Sequence, residues 1–409
     1  MSEDFLFFTT CLKAMMKTRC RFFVTLLRSS IQCGYSVESV QTFRPNSVPS
    51  EGISFSASEM GGQQSSFVVE IATSRYGKFQ SIPQKDPDDE NAAQWRITMN
   101  PASEFVATDT LRSMINRLYH VQKLLNPTDV RQIIAALRFV DVNQEVLLSL
   151  LTVISNSTAY PTNQTLLRNF GVTKRIVDLF NERTYDWPKS CRIMLLQCIA
   201  NMAVDAENEP ILHRAIPMIV RRTDSTVEME CVVAFQALTN LSATISPSQV
   251  EIFVPAIPHC LNRLWLKGEV NLHALRLLVN LSCCPNLVPY ILASRTITGI
   301  LSILNTDKTD VLIRAVTWFL CMSSAVEALN ITYDQIASLN QDPFGNPNYT
   351  IYYTLYGIRG KAELMSTVRQ LANEHKDTEI VNKATRLLET LGKISSMRES
   401  LYNLNRILQ

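Results

Sequence analysis

From Glu104 onward, apolar residues recur at i, i+3, i+4 and i+7, as in LRSMINRLYHVQKLL and VLLSLLTVI. That spacing predicts amphipathic helices. The helices also repeat. LLSLLTVISNST, MLLQCIANMAVD, AFQALTNLSATI and LRLLVNLSCCPN superpose on an asparagine followed by a small or apolar residue, at Asn156, Asn201, Asn240 and Asn280, with intervals of 45, 39 and 40 residues. A fifth copy, TWFLCMSSA, puts Cys321 in the same register 41 residues on, and KATRLLETLGKI closes the series. Each copy leads through a turn into a second apolar helix with Pro or Gly near its start, as in FGVTKRIVDLF, RAIPMIVRR, VPAIPHCLNRL and TITGILSIL. A period near 40 predicts a stack of helical repeats, each burying its apolar face against its neighbours. The expected fold is therefore an all-α, right-handed helical solenoid of about six repeats over residues 103–395.

Composition supports that choice. The chain has only 12 glycines in 409 residues, and between positions 78 and 298 only Gly171 and Gly268 occur. Doubly wound and barrel enzymes need glycine-bearing strand-to-helix turns about every 30 residues, which this chain lacks. Lys plus Arg number 39 and Asp plus Glu 37, a net charge of +2, so nucleic acid is not an expected partner. Ten cysteines are spread along the chain, many inside apolar runs, and read as core residues of a reducing compartment. No cysteine pair has C-x-x-C spacing and the five histidines are isolated, so no metal or cofactor is expected. Gly357, Gly360 and Lys361 evoke a phosphate loop, but the spacing is wrong and Ala362 stands where Ser or Thr is needed. No nucleophile elbow or zinc-helix motif is present, so neither an enzyme nor a small-molecule substrate is predicted.

The first 37 residues differ from the rest. Phe5 to Val37 contains no acid, and Lys13, Lys17, Arg21 and Arg28 fall within an arc of roughly 80° on a helix, opposite Phe8, Leu12, Met15, Phe22, Phe23 and Leu26. The longest strongly apolar stretch here, FLFFTTCL, is too short to span a bilayer, which takes about 20 residues. Residues 1–37 thus read as a targeting or membrane-contact segment, with residues 5–28 lying on a membrane surface or serving as a presequence. An ordinary helix packed on the first repeat, or a leader, is the competing reading. Residues 38–102, rich in Ser, Gln, Pro and Asp, read as a low-complexity flexible linker, and 396–409 as a C-terminal tail.

The A-L-x-N-L-S stretch at Ala237–Ser242, the recurring asparagine and the period together resemble armadillo repeats. LLTVISNSTAYPTNQTLLRNFGV, RLLVNLSCCPNLVPYILAS and LYGIRGKAELMSTVRQL look like the armadillo domain of the X-linked armadillo (Alex) group and its autosomal mitochondrial relative, over about residues 125–390. The resemblance implies a non-enzymatic scaffold of the mitochondrial outer membrane, linked to mitochondrial distribution and dynamics; a sister branch binds receptor tails. That group usually opens with an uninterrupted hydrophobic anchor, whereas basic residues break this one from Lys13 onward. A soluble scaffold of cytoplasm or nucleus, such as a receptor-tail sorting adaptor, is the alternative.

Stacked repeats line up equivalent positions along a concave surface. Asn156, Asn201, Asn240 and Asn280 would form a ladder there, each amide able to bond both backbone groups of an extended peptide. The same side chains could instead satisfy backbone groups where helices end. Four residues earlier, on the same helix face, stand Thr152, Gln197, Gln236 and Arg276. Armadillo proteins that carry basic import signals usually have tryptophan at that place. This row holds no tryptophan and no acid, so a neutral or acidic protein segment, an extended peptide or a helix, is the expected occupant. An insertion at 327–360 carries Phe344, Tyr349, Tyr352, Tyr353 and Tyr356, which read equally as interface anchors or as core at the end of the stack.

Overall fold

The computed structural model describes residues 106–120, 124–141, 143–183, 187–243, 245–264, 269–296 and 299–394. The segment bearing Lys13, Lys17, Arg21 and Arg28, the linker and the tail lie outside the described residues. Among the described residues there is no strand, only an isolated bridge between Arg295 and Thr350. All else is helix and turn.

The chain opens with α1 (Thr108–His120), α2 (Pro127–Arg138), α3 (Gln144–Ser157), α4 (Pro161–Asn169) and α5 (Val172–Arg183). It continues with α6 (Lys189–Met202), α7 (Glu209–Leu212), α8 (Ile216–Arg222) and α9 (Glu228–Leu241). Next come α10 (Val250–Phe253), α11 (Ala256–Arg263), α12 (Glu269–Ser282), α13 (Val288–Ala293) and α14 (Thr309–Leu329). The last are α15 (Tyr333–Ile336), α16 (Ile351–Tyr356), α17 (Ile358–Glu374) and α18 (Thr378–Lys393). The long helices pack in one consecutive row: α1 on α3, α3 on α6, then α9, α12, α14 and α18. Behind them run shorter helices, α2 on α5, α5 on α7 and α8 on α10. This is the expected all-α solenoid.

Local chemistry starts and stops these helices. Asn126 caps α2, its side chain accepting from Asp129 N at 2.8 Å, with Pro127 in the first turn, where a missing N–H costs nothing. Asp377 caps α18, accepting from Glu379 N at 2.8 Å. Gly171, with φ +77°, supplies the left-handed residue that lets α4 run directly into α5. Gly357 and Gly360 serve packing rather than phosphate: a Cβ on Gly360 would lie 2.0 Å from Thr354 O, so the turn between α16 and α17 closes only on glycine. Lys361 is buried, its Nζ donating to Ile394 O.

Helix α9 is buried all round, every residue from Glu230 to Leu238 being inaccessible, as expected for a helix apolar on all faces between α6 and α12. Among the described residues one helix, α14, is long and apolar enough to cross a membrane; in this fold it is a core helix between α12 and α18, with Trp318 and Phe319 fully buried. It also runs on to Leu329, so the insertion opens at Asn330, whose φ of 49° ends the helix, rather than at Glu327.

The core contains one well-built ionic centre. Glu230, at the start of α9, has a side chain 1% exposed. Its Oε1 accepts from Arg192 Nε at 3.0 Å, and its Oε2 from Arg192 Nη2 at 3.2 Å and Ser225 Oγ at 2.7 Å, while Arg222 Nη1 lies 3.7 Å away. Burial pushes this carboxyl up. The hydrogen bonds from Arg192 and Ser225 and the two guanidinium charges outweigh burial and hold it below the usual carboxylate range. The centre ties α6, α8 and α9 together. Glu230→Ala should cost about 3–5 kcal/mol at neutral pH, because two guanidinium groups lose their counter-charge. A carboxyl with a depressed folded pKa contributes stability above its unfolded value and loses it as pH falls through the folded one. Urea unfolding of both proteins should therefore show a gap at pH 7 that narrows toward pH 3.

Candidate ligand-binding face

The ladder asparagines sit where the row of long helices ends, and three of them bridge to the preceding repeat in one pattern. Asn201 Nδ2 donates to Ser155 O at 3.2 Å and to Ser155 Oγ at 3.0 Å. Asn240 Nδ2 donates to Ala200 O at 2.8 Å, and Asn280 Nδ2 to Thr239 O at 2.9 Å and Ser242 Oγ at 3.2 Å. Each accepting carbonyl belongs to the residue just before the preceding ladder position, in the last turn of its helix, where the regular intrahelical partner runs out; Ser155 O also accepts from Thr158 and Thr239 O from Ser242 Oγ, while Ala200 O has the asparagine. The capping reading is thus realised across repeats rather than within a helix. Only the NH2 group is engaged in this way. Asn201 Oδ1 accepts from Gln197 Nε2 at 3.0 Å, while among the described residues nothing donates to Oδ1 of Asn240 or Asn280. Asn156, at the first position, is exposed and makes no such bridge.

The row four residues earlier divides. Thr152 Oγ1 returns to its own helix, donating to Leu148 O at 2.9 Å. Gln197 positions Asn201, a role the sequence did not suggest. Gln236 is 8% exposed, and its Oε1 has no hydrogen-bond partner among the described residues. Arg276 is half-buried. At the next turn toward each helix N-terminus lie Met194, Val233, His273, Arg314 and Lys383. Lys383 Nζ reaches Thr317 Oγ1 of the neighbouring helix at 2.9 Å and also bonds Glu379 at 2.6 Å, so α18 continues the same face. His273 is buried, and burial first, then the charge of Arg276, pushes its pKa down to about 3. At neutral pH it is an uncharged part of the floor.

Cys321 takes the fifth ladder position and faces Cys283, Sγ to Sγ 3.9 Å, both half-buried. The cysteines among the described residues are free thiols. Burial pushes Cys198 and Cys260 thiols far up, as expected of core residues. Among the described residues no group of three or more His, Cys, Asp or Glu is placed to hold a metal.

The aromatic insertion splits in two. Tyr352, Tyr353 and Tyr356 are buried, the core alternative of the two readings: Tyr356 packs on Tyr352 at 5.4 Å, and Tyr353 meets Tyr333 edge-on at 5.0 Å. Tyr352 OH donates to Ile331 O at 3.2 Å and Tyr356 OH pairs with Ser323 Oγ at 3.2 Å, so their polar ends are satisfied inside. Phe344 (84% exposed) and Tyr349 (45%) remain at the surface. Phe344 sits on a turn that Asp342 holds by accepting from Phe344 N at 3.0 Å and Asn346 N at 2.9 Å.

A family model described as Armadillo-like matches residues 125–339, more than half of the chain. The chain belongs to the Armadillo-like family. Among solved structures, the designed armadillo repeat protein YIII(Dq)4CqI is similar at 18% identity, covering 64% of this chain and 98% of its own, with a TM-score of 0.47. A computationally designed armadillo repeat protein for modular peptide recognition is similar at 17% identity, 64% and 98% coverage and a TM-score of 0.47. The designed armadillo repeat protein YIII(Dq.V1)4CPAF, in complex with the peptide (KR)4, is similar at 16% identity, 65% and 98% coverage and a TM-score of 0.47. No curated protein matches the chain.

Two tests follow from this armadillo face. Asn240→Ala should lower stability by about 1–3 kcal/mol, since it strands Ala200 O of the preceding repeat; Asn280→Ala should cost about 1 kcal/mol, since Ser242 Oγ still donates to Thr239 O; and Asn156→Ala should change stability by no more than about 0.5 kcal/mol. Chemical denaturation of the three variants reads this directly. Below pH 6.5 the unfolded chain protonates His273 while the folded chain resists it, so stability falls with pH by up to about 1.4 kcal/mol per unit. His273→Gln should flatten that part of the stability profile, with the difference from the native protein growing from pH 6.5 down toward the folded value.

Proposed function

We propose that this armadillo protein is a non-enzymatic adaptor that holds a protein partner along the ladder face and acts at the mitochondrial surface. The observation that carries the binding reading is the pair of half-buried ladder amides of Asn240 and Asn280, whose Oδ1 atoms take no hydrogen bond from the described residues. An extended backbone crossing the row offers N–H donors to these acceptors. The ladder then has two functions at once, its NH2 groups locking the repeats and its carbonyls facing the ligand. This differs from a ladder given over wholly to the ligand.

What supports a mitochondrial address is the acid-free run from Phe5 to Val37, with Lys13, Lys17, Arg21 and Arg28 on one side, together with the resemblance to the Alex group. Such a segment can contact an anionic membrane surface or serve as a targeting signal without spanning the bilayer. A role in mitochondrial distribution or dynamics is the reading that fits both the address and a scaffold that carries no chemistry of its own.

Fluorescence imaging of the full chain beside a form lacking residues 1–37 tests the address. The full chain should coincide with a mitochondrial marker and the truncated form should spread through the cytosol. Identical diffuse patterns would discard the mitochondrial reading and leave a soluble cytoplasmic or nuclear scaffold.

A further inference from the structure

The ladder changes chemistry at the junction between α12 and α14. At the junctions before it an asparagine reaches back to the last turn of the preceding long helix, from Asn201 to Ser155, from Asn240 to Ala200 and from Asn280 to Thr239 and Ser242. Here the equivalent position is Cys321, and it meets Cys283, three residues beyond Asn280, at 3.9 Å between sulfurs. A thiol is a weak donor and offers no amide, so the asparagine lock of the earlier junctions cannot form at this one.

Exposure and contact set this pair apart. Cys283 and Cys321 are half-buried, whereas Cys191, Cys198, Cys231, Cys260 and Cys284 are buried, so among the described residues these two sulfurs are the ones a small solute can reach. Burial also pushes the thiols of Cys191, Cys198, Cys231 and Cys260 up, away from the reactive thiolate. The sulfurs of Cys283 and Cys321 already touch across two packed helices. Closing from there to a disulfide bond length of about 2.0 Å takes less movement than one thiol makes between two of its rotamers. The Lys383 ammonium, held by Thr317 Oγ1 and Glu379, stands one turn before Cys321 on α14, close enough for its charge and the Cys321 sulfur to act on each other. That neighbour marks Cys321 as the sulfur that reacts first, since a nearby cation favours the thiolate.

We propose that Cys283 and Cys321 form a redox modification site, at which a hydroperoxide closes a disulfide that fastens α12 to α14. The inference is independent of the peptide-binding reading. The Cys321 thiolate attacks the peroxide: an S–O bond forms, the O–O bond breaks, and the leaving oxygen takes up the proton that the thiol released, giving water or an alcohol. Cys283 then attacks the sulfenic sulfur. The S–S bond forms as the S–O bond breaks, and the hydroxyl departs as water with the Cys283 proton. One peroxide is consumed, reduced by the two electrons that the sulfurs lose, and a dithiol returns both thiols by exchange. The covalent bridge stands where the earlier junctions carry an asparagine, so the oxidised stack is fastened at every step from α3 to α14.

Treatment of the full chain with equimolar hydrogen peroxide, then alkylation under denaturing conditions and mass mapping of the peptides, tests the site. The Cys283–Cys321 linked peptide should be the main disulfide and should disappear with dithiothreitol, while the five buried thiols alkylate in full. Cys283→Ser should halt the reaction at a Cys321 sulfenic acid, which dimedone traps. Backbone amides of α12 and α14 should exchange with solvent at least about threefold more slowly in the linked protein than in the reduced one. Cys321→Asn, which restores the ladder amide, should show no change in that exchange on adding peroxide. Full alkylation of Cys283 and Cys321 after peroxide would overturn the proposal. So would a main disulfide from either sulfur to Cys284, to Cys11, Cys20 or Cys33, or to a second chain. A linked pair with unchanged exchange would overturn the fastening of α12 to α14.

Discussion

Everything in this fold depends on how the ends of the long helices are satisfied. The last carbonyls of a helix have no partner within it, and proteins commonly resolve this with a left-handed glycine just beyond the end. This chain has almost no glycine across its repeats. It uses side-chain amides instead. Asn201, Asn240 and Asn280 reach back from the next repeat to the end of the previous helix. From the other side, Asn163, Gln164 and Asn208 reach back over six residues to Ser157 O, Thr158 O and Met202 O at 3.0, 2.9 and 3.0 Å. Because the ladder asparagines cap the helix of the preceding repeat, finishing one helix and stacking the next are the same event, which couples adjacent repeats beyond their apolar contact.

The same constraint shapes the candidate binding face. A ladder amide committed through its NH2 to a neighbouring carbonyl is held in one orientation, and its own carbonyl then points away from the bond it makes. Gln197 uses that carbonyl on Asn201, but at Asn240 and Asn280 it stays open. Rigid acceptors on a stacked surface suit an extended backbone, whose donors come at regular spacing. The proposed binding on this face would follow from an incomplete answer to a structural need.

Much of this was legible in the chain. The 3.6-residue apolar period, the near-40-residue recurrence and the scarcity of glycine together leave little besides a helical solenoid, and the recurring asparagine marks the helix ends. The arginines and lysine of the last three helices can also be read once the register is set. Less was visible at the insertion: Tyr352, Tyr353 and Tyr356 look no different in sequence from Tyr349, yet three are core and one is exposed. Their fate is decided by Tyr333 and by the residues after α13, Thr296 N donating to Tyr349 O at 2.8 Å and Ile351 N to Ser294 O at 3.1 Å.

The sequence by itself determined the helices, their repeat and the positions that would share a face, because each of these depends on contacts three or four residues apart or on a repeating register. Tertiary structure decided which atoms of those shared positions are used. Whether an asparagine donates to the repeat behind it, whether Glu230 meets two arginines, and whether a tyrosine faces core or water all depend on groups 20 to 46 residues away that meet only when the stack closes. Hydrogen bonds and ion pairs are set by distance and angle in space. Local periodicity carries no record of them.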